Sequence, residues 1–357
     1  MKSLQSKFGY SIYFEESIQA LDDFLDVKKY QKVAILGDTN TLEKCLPYLN
    51  LFSKHTPKFD LIEIDPGEEN KNIDICIGIW SMMQDFNLNR KSLLINLGGG
   101  VITDMGAFAA STFMRGIDFI HIPTTLLAMV DACVGGKTGI DLQHYKNHIG
   151  TFSHPKAIFI IPELLGSLDE HELRSGFAEV LKHGIIADHM HLRDAVCHLE
   201  NGLPEIDELI YQSIQIKLKI TEQDPYEQNV RKALNFGHTI GHAIESYLLS
   251  REKWILHGHA IAAGMILETK LSVIKCGLSK EQADYIIESI RKNIEPAKVN
   301  ADMIIDLITY MQKDKKNDFA EINFSLISEI SKPTLDVKVS EEEISQLILD
   351  NLSYFNE

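Results

Sequence analysis

The amino-acid sequence predicts an α/β fold, with a doubly wound, Rossmann-like parallel sheet in an N-terminal domain, followed by a mainly helical C-terminal domain. The chain has 357 residues, and at about 100–200 residues per domain this length favours two domains. Short apolar strands alternate with amphipathic helices in the first half, whereas apolar residues recur at helical spacing from about residue 166 onward. We therefore expect an α/β domain at 1–165 and a helical domain at 166–357, with one strand-like segment, EINFSLIS, at 321–328.

The predicted strands of the first domain end in small or polar residues. The segment QKVAILGDTNTLEKCL, which starts at residue 31, contains a strand, a turn with Gly37 and Asp38, and a helix. Further strands are predicted at about 60–65, in SLLINLG, at about 117–122 and at 157–165. Strands that alternate with helices pair in parallel through right-handed crossovers, and ligands bind such sheets beyond the carboxyl ends of the strands. The glycines and threonines at these ends are therefore candidate ligand contacts.

Composition and charge exclude several classes of protein. Apolar residues make up 45% of the chain and charged residues 24%, which is ordinary globular composition and excludes disordered and collagen-like chains. Lysine and arginine number 35 against 51 aspartates and glutamates, so the formal net charge is −16. A charge of this sign opposes binding to nucleic acid and to anionic membranes, and we expect neither as a partner. A phosphorylated substrate would need a local cationic pocket.

The cysteines and the N-terminus predict a cytoplasmic protein. Five cysteines are scattered along the chain without a Cys-x-x-Cys pair, which favours a reducing compartment over a disulfide framework. The N-terminal residues MKSLQSKFGYSIYFEES lack the apolar region of a signal peptide. No apolar stretch approaches the roughly 18 residues of a membrane-spanning helix.

Two glycine-rich segments are candidate binding loops. Gly98-Gly99-Gly100 follows a strand and precedes a helix, where backbone can approach a ligand and free amides can bind an anion such as a pyrophosphate. The spacing is not GxGxxG, so the triplet fits a phosphate cradle and a tight turn equally. Gly135-Gly136-Lys137-Thr138 resembles the end of a P-loop, but Asp131 stands where that motif requires glycine, so we exclude a nucleoside triphosphatase. What remains is a flexible loop that presents Lys137 to a ligand or to solvent.

Histidines and one carboxylate suggest a metal site. His238 and His242 lie four residues apart, so one helical face can present both imidazoles to one metal ion or one substrate. The alternative is a pair of structural histidines. The cluster His257-Gly258-His259 and Glu179, in SGFAEVLKHG, are further candidates, because three nitrogen or oxygen ligands with an open position are typical of a catalytic zinc site.

Basic residues accompany these glycines and histidines despite the negative net charge. Each alone is ordinarily a surface charge, but gathered in a cleft they would focus a positive potential on a phosphate or carboxylate. They are Arg115, Lys137, Lys146, Lys182, Lys217 and Arg231.

Taken together, the motifs resemble those of the 3-dehydroquinate synthase family. In chain order they are GGGVITD, FMRG, PTTLLAMVD, VGGKTGID, KNHIGTF, RSGFAEVLKHG, RKALNFGHTIGHAIE and LHG. The resemblance runs from about Asp38 to about Lys316, and the combination is far more specific than any single motif.

The resemblance implies an NAD- and metal-dependent cyclase that acts as a carbon–oxygen (phosphate) lyase. Such an enzyme converts 3-deoxy-D-arabino-heptulosonate 7-phosphate to 3-dehydroquinate and phosphate, in the shikimate pathway of aromatic amino acid biosynthesis. The implied route is transient oxidation by NAD, β-elimination of phosphate, re-reduction and an intramolecular aldol closure. The resemblance also implies one zinc or cobalt ion per chain and a homodimer.

The resemblance further implies a role for individual residues. The metal ligands fall on Glu179, His238 and His257, which leaves His242 to support a ligand or to transfer a proton. The implied catalytic residues are Lys146, Asn147, Lys182, Arg231, Asn235 and His242. The implied substrate contacts are Arg115, Asp131, Lys137, Lys217 and one of the pair Lys315 and Lys316. The implied NAD contacts are Asp38, Glu68, Lys71, Gly99, Gly100, Val101, Asp104, Thr124, Thr125, Asp131, Lys137, Lys146 and Leu168.

Two positions differ from the family pattern. His259 stands where glutamate is common after the ligand histidine and its glycine, and Met129 stands where a polar residue is frequent. Histidine at position 259 can alter metal preference, hydrogen bonds to the ligands or pH dependence.

Three rival functions share part of this pattern. A sibling sugar phosphate cyclase, of the inosose or valiolone synthase type, would differ in the residues that read the substrate carboxylate, and Asn235 with Lys315 and Lys316 favours the dehydroquinate enzyme. A metal-dependent polyol dehydrogenase needs neither the LNFGH stretch nor so many phosphate-binding cations. A non-catalytic relative would have lost ligands, whereas every expected ligand is present.

Overall fold

The computed structural model describes residues 2–14, 17–28, 30–49, 59–143, 145–201, 206–313 and 321–355. The chain forms two compact units, Met1–Leu173 and Arg174–Glu357. The first unit is an α/β structure and the second is mainly helical, which confirms the predicted fold class.

The first unit contains a parallel sheet with helices packed on it. Its strands are β1 (Ser3–Gln5), β2 (Ser11–Tyr13), β3 (Lys32–Asp38), β4 (Phe59–Ile64), β5 (Ser92–Gly98), β6 (Asp118–Pro123), β7 (Lys137–Leu142), β8 (Tyr145–Phe152) and β9 (Ala157–Phe159). Its helices are α1 (Ser17–Lys28), α2 (Thr39–Lys44), α3 (Ile73–Asp85) and α4 (Gly100–Thr112).

The strand order places a topological switch point between β3 and β5. Among the described residues the main sheet has seven strands in the order β1-β2-β9-β6-β5-β3-β4, and every pair except β1–β2 is parallel. The chain passes from β3 outward to β4 and then back across β3 to β5. Such a reversal is the switch point at which doubly wound sheets bind ligands, beyond the carboxyl ends of the strands. Asp38 and Gly98 are the last residues of β3 and β5.

The sheet is buried on both faces because its central strands are apolar throughout. All seven residues of β5 are buried. Successive residues point to opposite faces, so Leu93 and Ile95 pack in one apolar cluster while Leu94 packs in the other. Burial on both faces explains why these strands are continuous apolar runs rather than alternating ones.

Two parts of the first unit differ from the prediction. The segment around Lys137, expected as a flexible loop, forms an antiparallel hairpin of β7 and β8. Gly135 and Gly136 precede it with φ of 107° and 70°, a left-handed backbone that glycine adopts without strain. The hairpin was missed because these glycines mark the turn into a strand as readily as a loop. The N-terminal strands β1 and β2, which extend the sheet beyond β9, were not predicted either.

The second unit consists mainly of helices with one small antiparallel sheet. The helices are α5 (Glu170–Ala187), α6 (His189–Glu200), α7 (Asp207–Gln223), α8 (His238–Leu249), α9 (His257–Cys276), α10 (Lys280–Asn293), α11 (Ile304–Lys313) and α12 (Glu341–Asp350). Strand β10 (Ile322–Glu329), predicted at 321–328, pairs with β11 (Lys332–Val339), which was not predicted. No helix of the described chain has the length and apolarity to cross a membrane.

Glycines allow three helices of this unit to approach closely. A Cβ atom on Gly258, in α9, would lie 1.9 Å from the carbonyl oxygen of Ser175, in α5. A Cβ on Gly264 would lie 2.0 Å from the carbonyl oxygen of Gly237, immediately before α8. Neither position has room for a side chain, so the packing of α5, α8 and α9 depends on glycine at these points.

The buried His191 predicts a loss of stability in acid. His191 lies in α6 with 2% of its surface exposed. Burial, and next the neighbouring His183, lower the pKa of His191 from 6.5 to about 4. The unfolded chain therefore binds a proton at higher pH than the folded unit, so the free energy of unfolding decreases as pH falls from 6.5 to 4, by up to about 3 kcal/mol.

His191→Gln should flatten this pH dependence. Urea unfolding at a series of pH values measures the slope of the unfolding free energy. His189→Gln, which changes an exposed histidine of the same helix, is the control and should leave the slope unchanged. An identical slope for His191→Gln and the unaltered chain would show that the lowered pKa of His191 is not the source of the acid sensitivity.

Candidate active site

Three side chains from three helices converge in the second unit. Glu179 lies within α5, and His238 and His257 are the first residues of α8 and α9. Nε2 of His238 lies 3.5 Å from Oε1 of Glu179, and Nε2 of His257 lies 3.4 Å from the same oxygen. One donor atom from each residue lies within 4.8 Å of the others. The structure therefore brings together the three residues predicted as metal ligands.

In both histidines Nδ1 faces an oxygen atom, which leaves Nε2 as the nitrogen that could bind a metal. Nδ1 of His238 donates to the carbonyl oxygen of Phe236 at 3.1 Å. Nδ1 of His257 lies 3.2 Å from both carboxylate oxygens of Glu245. An acceptor at Nδ1 places the proton there and leaves a lone pair on Nε2, which is the form that binds a metal. Two such nitrogens and a carboxylate oxygen match the His-His-carboxylate set of catalytic zinc sites.

The surroundings shift the two histidines in opposite directions. Burial, and next the ammonium of Lys182, hold the pKa of His238 well below its ordinary value. Burial also lowers the pKa of His257, but the charge of Glu245 and hydrogen bonds to Glu179 and Glu245 outweigh it and raise the pKa to about 10. His238 is thus a neutral imidazole with a lone pair on Nε2, whereas His257 also holds a proton on Nε2, which a metal ion would have to displace.

His242 lies beside this group, not within it. Its ring centroid is 5.0 Å from that of His238 and 6.0 Å from that of His257. Donor atoms of His242, Glu245 and His257 also lie within 4.8 Å of one another, but Nδ1 of His257 already faces Glu245 there. The first geometric alternative, a metal held by the helical pair His238 and His242, is therefore less well supported than the set that includes Glu179.

Buried cations occur among the predicted site residues of both units. Lys182 lies one helical turn after Glu179 and forms an ion pair with its Oε2. Four lysine and arginine side chains are buried among the described residues, and all four are predicted site residues. They are Lys71, Lys182, Lys217 and Arg231, with exposures of 4%, 1%, 6% and 2%. Charged side chains are rarely buried without a function or a partner, and two of these cations have carboxylate partners, Lys71 in Asp104 and Lys182 in Glu179.

A carboxylate organises the turn that carries Arg231. The Asp224 carboxylate accepts hydrogen bonds from the backbone amides of Gln228, Asn229 and Arg231 at 2.9, 2.6 and 3.1 Å. Burial opposes the charge on Asp224, but these three donors hold its pKa below the ordinary value. In the 3-10 helix that follows, Asn235 donates from Nδ2 to Oε1 of Glu227 at 2.5 Å. Arg231 and Asn235 are thereby fixed directly before the ligand helix α8.

The first unit gathers the residues predicted to bind NAD. The ammonium of Lys71 lies 2.6 Å from Oδ2 of Asp104, and Lys146 forms an ion pair with Glu68. Burial lowers the pKa of Lys71, but the carboxylates of Asp104, Glu68 and Asp141 outweigh it and the pKa is raised. Asp141 also accepts a hydrogen bond from the amide of Asn147 at 2.7 Å. The hairpin β7–β8 thus carries Lys146 and Asn147 to the cluster around Lys71.

The glycine triplet forms an uncapped helix start at the switch point. Gly99 is the N-cap of α4 and provides no side-chain acceptor for the first amides. A Cβ on Gly99 would lie 2.9 Å from Cγ2 of Thr125, and the amide of Thr124 donates to the carbonyl oxygen of Gly98 at 3.0 Å. The first amides of α4, which receive no side-chain cap, are of the kind that binds a diphosphate, and the phosphate cradle stays a prediction for this turn.

The other predicted NAD contacts lie at the ends of further elements. Asp38 ends β3 and caps α2, with its Oδ1 accepting from the amide of Thr41 at 2.8 Å. Asp131 lies in the short π-helix Ala128–Ala132, and Leu168 follows the 3-10 helix Pro162–Ser167. Lys137 begins β7 with an exposed side chain. Asp38 therefore has a structural use as a helix cap as well as its place at the switch point.

Arg115 does not lie with the predicted NAD contacts at the switch point. Arg115 precedes β6, at the amino ends of the parallel strands, and borders a cleft of about 510 Å³ with Gln31 and Arg90. Met114 and Arg115 have φ of 50° and 68°. The switch point lies at the opposite ends of the strands. The pair Lys315 and Lys316 lies outside the described residues.

The two departures from the family pattern have local explanations. Met129 is completely buried, at 0% exposure, so an apolar side chain suits that position. His259 is half-buried, and its Nδ1 lies 2.5 Å from the carbonyl oxygen of Glu295. His259 thus contacts backbone and none of the three predicted ligands.

Sequence reasoning missed two carboxylates of the second unit. Glu245 lies two helical turns after His238 on the same face of α8, so helical spacing would have found it. Glu268 is completely buried and accepts hydrogen bonds from the backbone at the start of α8. Burial, against these hydrogen bonds, raises the pKa of Glu268 to about 8. Its contact depends on the packing of two helices, which no local pattern reveals.

These two units define the class of the protein, a metal-dependent enzyme whose α/β unit is built to bind a dinucleotide. Comparison with known proteins narrows the class. Models of the 3-dehydroquinate synthase N-terminal and C-terminal domains match residues 61–175 and 176–317. The 3-dehydroquinate synthase of Parabacteroides distasonis is 41% identical over 346 residues, which cover 94% of this chain and 95% of that protein. The chain belongs to the 3-dehydroquinate synthase family, as the resemblance predicts.

Solved structures of related cyclases share the fold. A 2-deoxy-scyllo-inosose synthase complexed with carbaglucose-6-phosphate, NAD+ and Co2+ aligns with a TM-score of 0.85 at 22% identity, over 98% of this chain and 99% of that chain. A 2-epi-5-epi-valiolone synthase from Streptomyces hygroscopicus, with NAD+ and Zn2+ bound, aligns with a TM-score of 0.83 at 23% identity, over 98% of each chain.

The ligand geometry predicts opposite outcomes for two histidines of one helix. His238→Ala removes a donor from the Glu179 group and should weaken Zn2+ binding by more than about 100-fold, since even outer hydrogen-bond partners are worth about 10–100-fold. His242→Ala should retain the metal. Metal content after dialysis, with circular dichroism as the check on folding, distinguishes the two. Loss of metal from His242→Ala but not from His238→Ala would instead favour a site formed by His242, Glu245 and His257.

Proposed function

We propose that this chain is a 3-dehydroquinate synthase, converting 3-deoxy-D-arabino-heptulosonate 7-phosphate to 3-dehydroquinate and phosphate. Membership of the family supports the reaction, since the 41%-identical relative carries this name. The observation that carries the proposal in the structure is the convergence of Glu179, His238 and His257 with both Nε2 atoms directed at one carboxylate oxygen.

The donor set and the cradle fit the two groups that the reaction needs. Glu179, His238 and His257 would hold one zinc or cobalt ion, and the amides beyond Gly99 would hold the NAD diphosphate. When bound, the metal supplies a Lewis acid for a substrate hydroxyl and NAD supplies a reversible hydride acceptor.

Each group of residues has a proposed task. Asp104 fixes the Lys71 ammonium, and Glu68 fixes that of Lys146, so these polar groups are ordered before the cofactor arrives. In the second unit, Lys182, Lys217 and Arg231 offer buried positive charge to the phosphate and carboxylate of the substrate. Asn235 adds an amide, and the proposed proton carrier is the imidazole of His242.

The remaining contacts, with Arg115, Asp131, Lys137 and one of Lys315 and Lys316, stay predictions. So do the homodimer and the cytoplasmic location. None of the five cysteines, all of which lie in the described part of the chain, forms a disulfide bond, which supports a reducing compartment. Light scattering of the purified protein tests the dimer.

Phosphate release tests the function directly. The purified chain should release phosphate from 3-deoxy-D-arabino-heptulosonate 7-phosphate when NAD and Zn2+ are present, should lose this activity after chelation, and should accumulate no NADH. Net formation of NADH from a simple polyol would instead indicate a dehydrogenase. Release from another sugar phosphate, with none from this substrate, would indicate a sibling cyclase.

Adjacent cations of one 3-10 helix provide a matched test of substrate binding. Arg231 is buried, whereas Lys232 forms a surface ion pair with Asp336 at 2.8 Å. Arg231→Gln should lower kcat/KM by about 10–100-fold, since a hydrogen bond to a charged group is worth about 1.5–3 kcal/mol. Lys232→Gln should stay close to the unaltered enzyme. Equal losses in steady-state kinetics would mean that general electrostatics, not a contact by Arg231, supports binding.

A further inference from the structure

Helix α8 begins without a capping side chain of its own. Its N-cap residue is Gly237, which has a φ of 81° and no side chain to accept a hydrogen bond from the first amides. Uncapped amides in a buried setting are costly. The acceptor comes instead from the neighbouring helix α9. The amide of Gly237 donates to Oε2 of Glu268 at 2.6 Å, and that of Ile240 donates to Oε1 at 3.2 Å.

The use of a distant carboxylate follows from the packing of the two helices. A Cβ on Gly237 would lie 2.4 Å from Cγ of Met265, and the left-handed backbone there is itself strained for other residues. Serine, aspartate or asparagine therefore cannot occupy this N-cap, although such residues cap other helices. Examples of such local caps are Asp38 before α2, Asn72 before α3, Asp188 before α6, Ser279 before α10 and Ser340 before α12.

Glu268 thus joins the two helices that carry the histidine ligands. His238 follows Gly237 directly and opens α8, and His257 opens α9. A Cβ on Gly264 would lie 2.0 Å from the carbonyl oxygen of Gly237, so the backbones are in contact where the Glu268 carboxylate binds. Sliding or rotation of α8 against α9 would break both hydrogen bonds to the carboxylate.

We propose that Glu268 is a positioning residue of the metal centre, which fixes His238 relative to His257 by capping α8 from α9. The proposal rests on the proposed function, because it needs a metal bound by Glu179 and the two histidines. Glu268 is completely buried and its side chain reaches the backbone of α8, so its effect on the metal passes through the position of His238.

Binding of Co2+ to the purified full-length chain tests this role. Glu268→Gln keeps the size of the side chain, but one of its two polar ends becomes an NH2 group that faces an amide N–H. We expect Co2+ to bind about 10–100-fold more weakly, as for other groups that hold a metal ligand in place, with an altered visible absorption spectrum. Zn2+ competition provides the affinity independently of the spectrum.

Asp188→Ala is the matched control, because it also removes a carboxylate cap that accepts from two amides, at 2.9 and 3.3 Å, on a helix without a ligand. It should lower the melting temperature and leave Co2+ affinity and spectrum unchanged. If Glu268→Gln fails to fold, Glu268→Asp replaces it. This variant shortens the side chain by one methylene group, and we expect the same loss of Co2+ affinity.

The two hypotheses fail in different ways. If the unaltered chain binds no Co2+, the proposed metal site is wrong and the role of Glu268 falls with it. If the unaltered chain binds Co2+, and the folded Glu268 variant binds it with the same affinity and spectrum while only its melting temperature falls, Glu268 is a structural cap and the inference is overturned.

Discussion

A carboxylate buried in the middle of a helix organises the second unit. Glu179 has no exposed surface, and an isolated carboxylate in such a place costs several kcal/mol or more unless positive charge or a metal compensates it. The compensation comes from Lys182 on one oxygen and from the protonated imidazole of His257 on the other, whereas His238, which also faces that oxygen, is neutral. These residues lie on three helices, α5, α8 and α9. The packing of the three helices therefore also sets the distances between Glu179, His238 and His257.

In the proposed function the first unit meets a different requirement, the binding of an anion by backbone amides. The order of the strands places the ends of β3 and β5 beside each other, and the uncapped start of α4 follows β5 directly. Side chains then complete the proposed site through paired charges, Lys71 with Asp104 and Lys146 with Glu68. Paired charges are ordered before a ligand binds, which lowers the entropy cost of binding.

The sequence predicts those features that arise from local periodicity and strand order. Alternating strands and helices gave the doubly wound sheet, and the motif resemblance gave the candidate ligands Glu179, His238 and His257, which the structure brings together. Helical spacing alone favoured His242 as the partner of His238, because a contact between helices leaves no periodic signal. The capping role of Glu268 was invisible for the same reason, and the hairpin β7–β8 was hidden by glycines that are typical of loops as well as of turns.

The net charge and the proposed substrate are compatible because burial decides which charges act on a ligand. The acidic excess gives a formal charge of −16, but charges in solvent are screened over about 8–10 Å at ordinary ionic strength. Lys182, Lys217 and Arg231 are buried, where the effective dielectric constant is lower and a charge acts more strongly on its neighbours. The surface charge therefore affects long-range encounter, whereas in the proposed function these few buried cations hold the phosphorylated acid once it arrives.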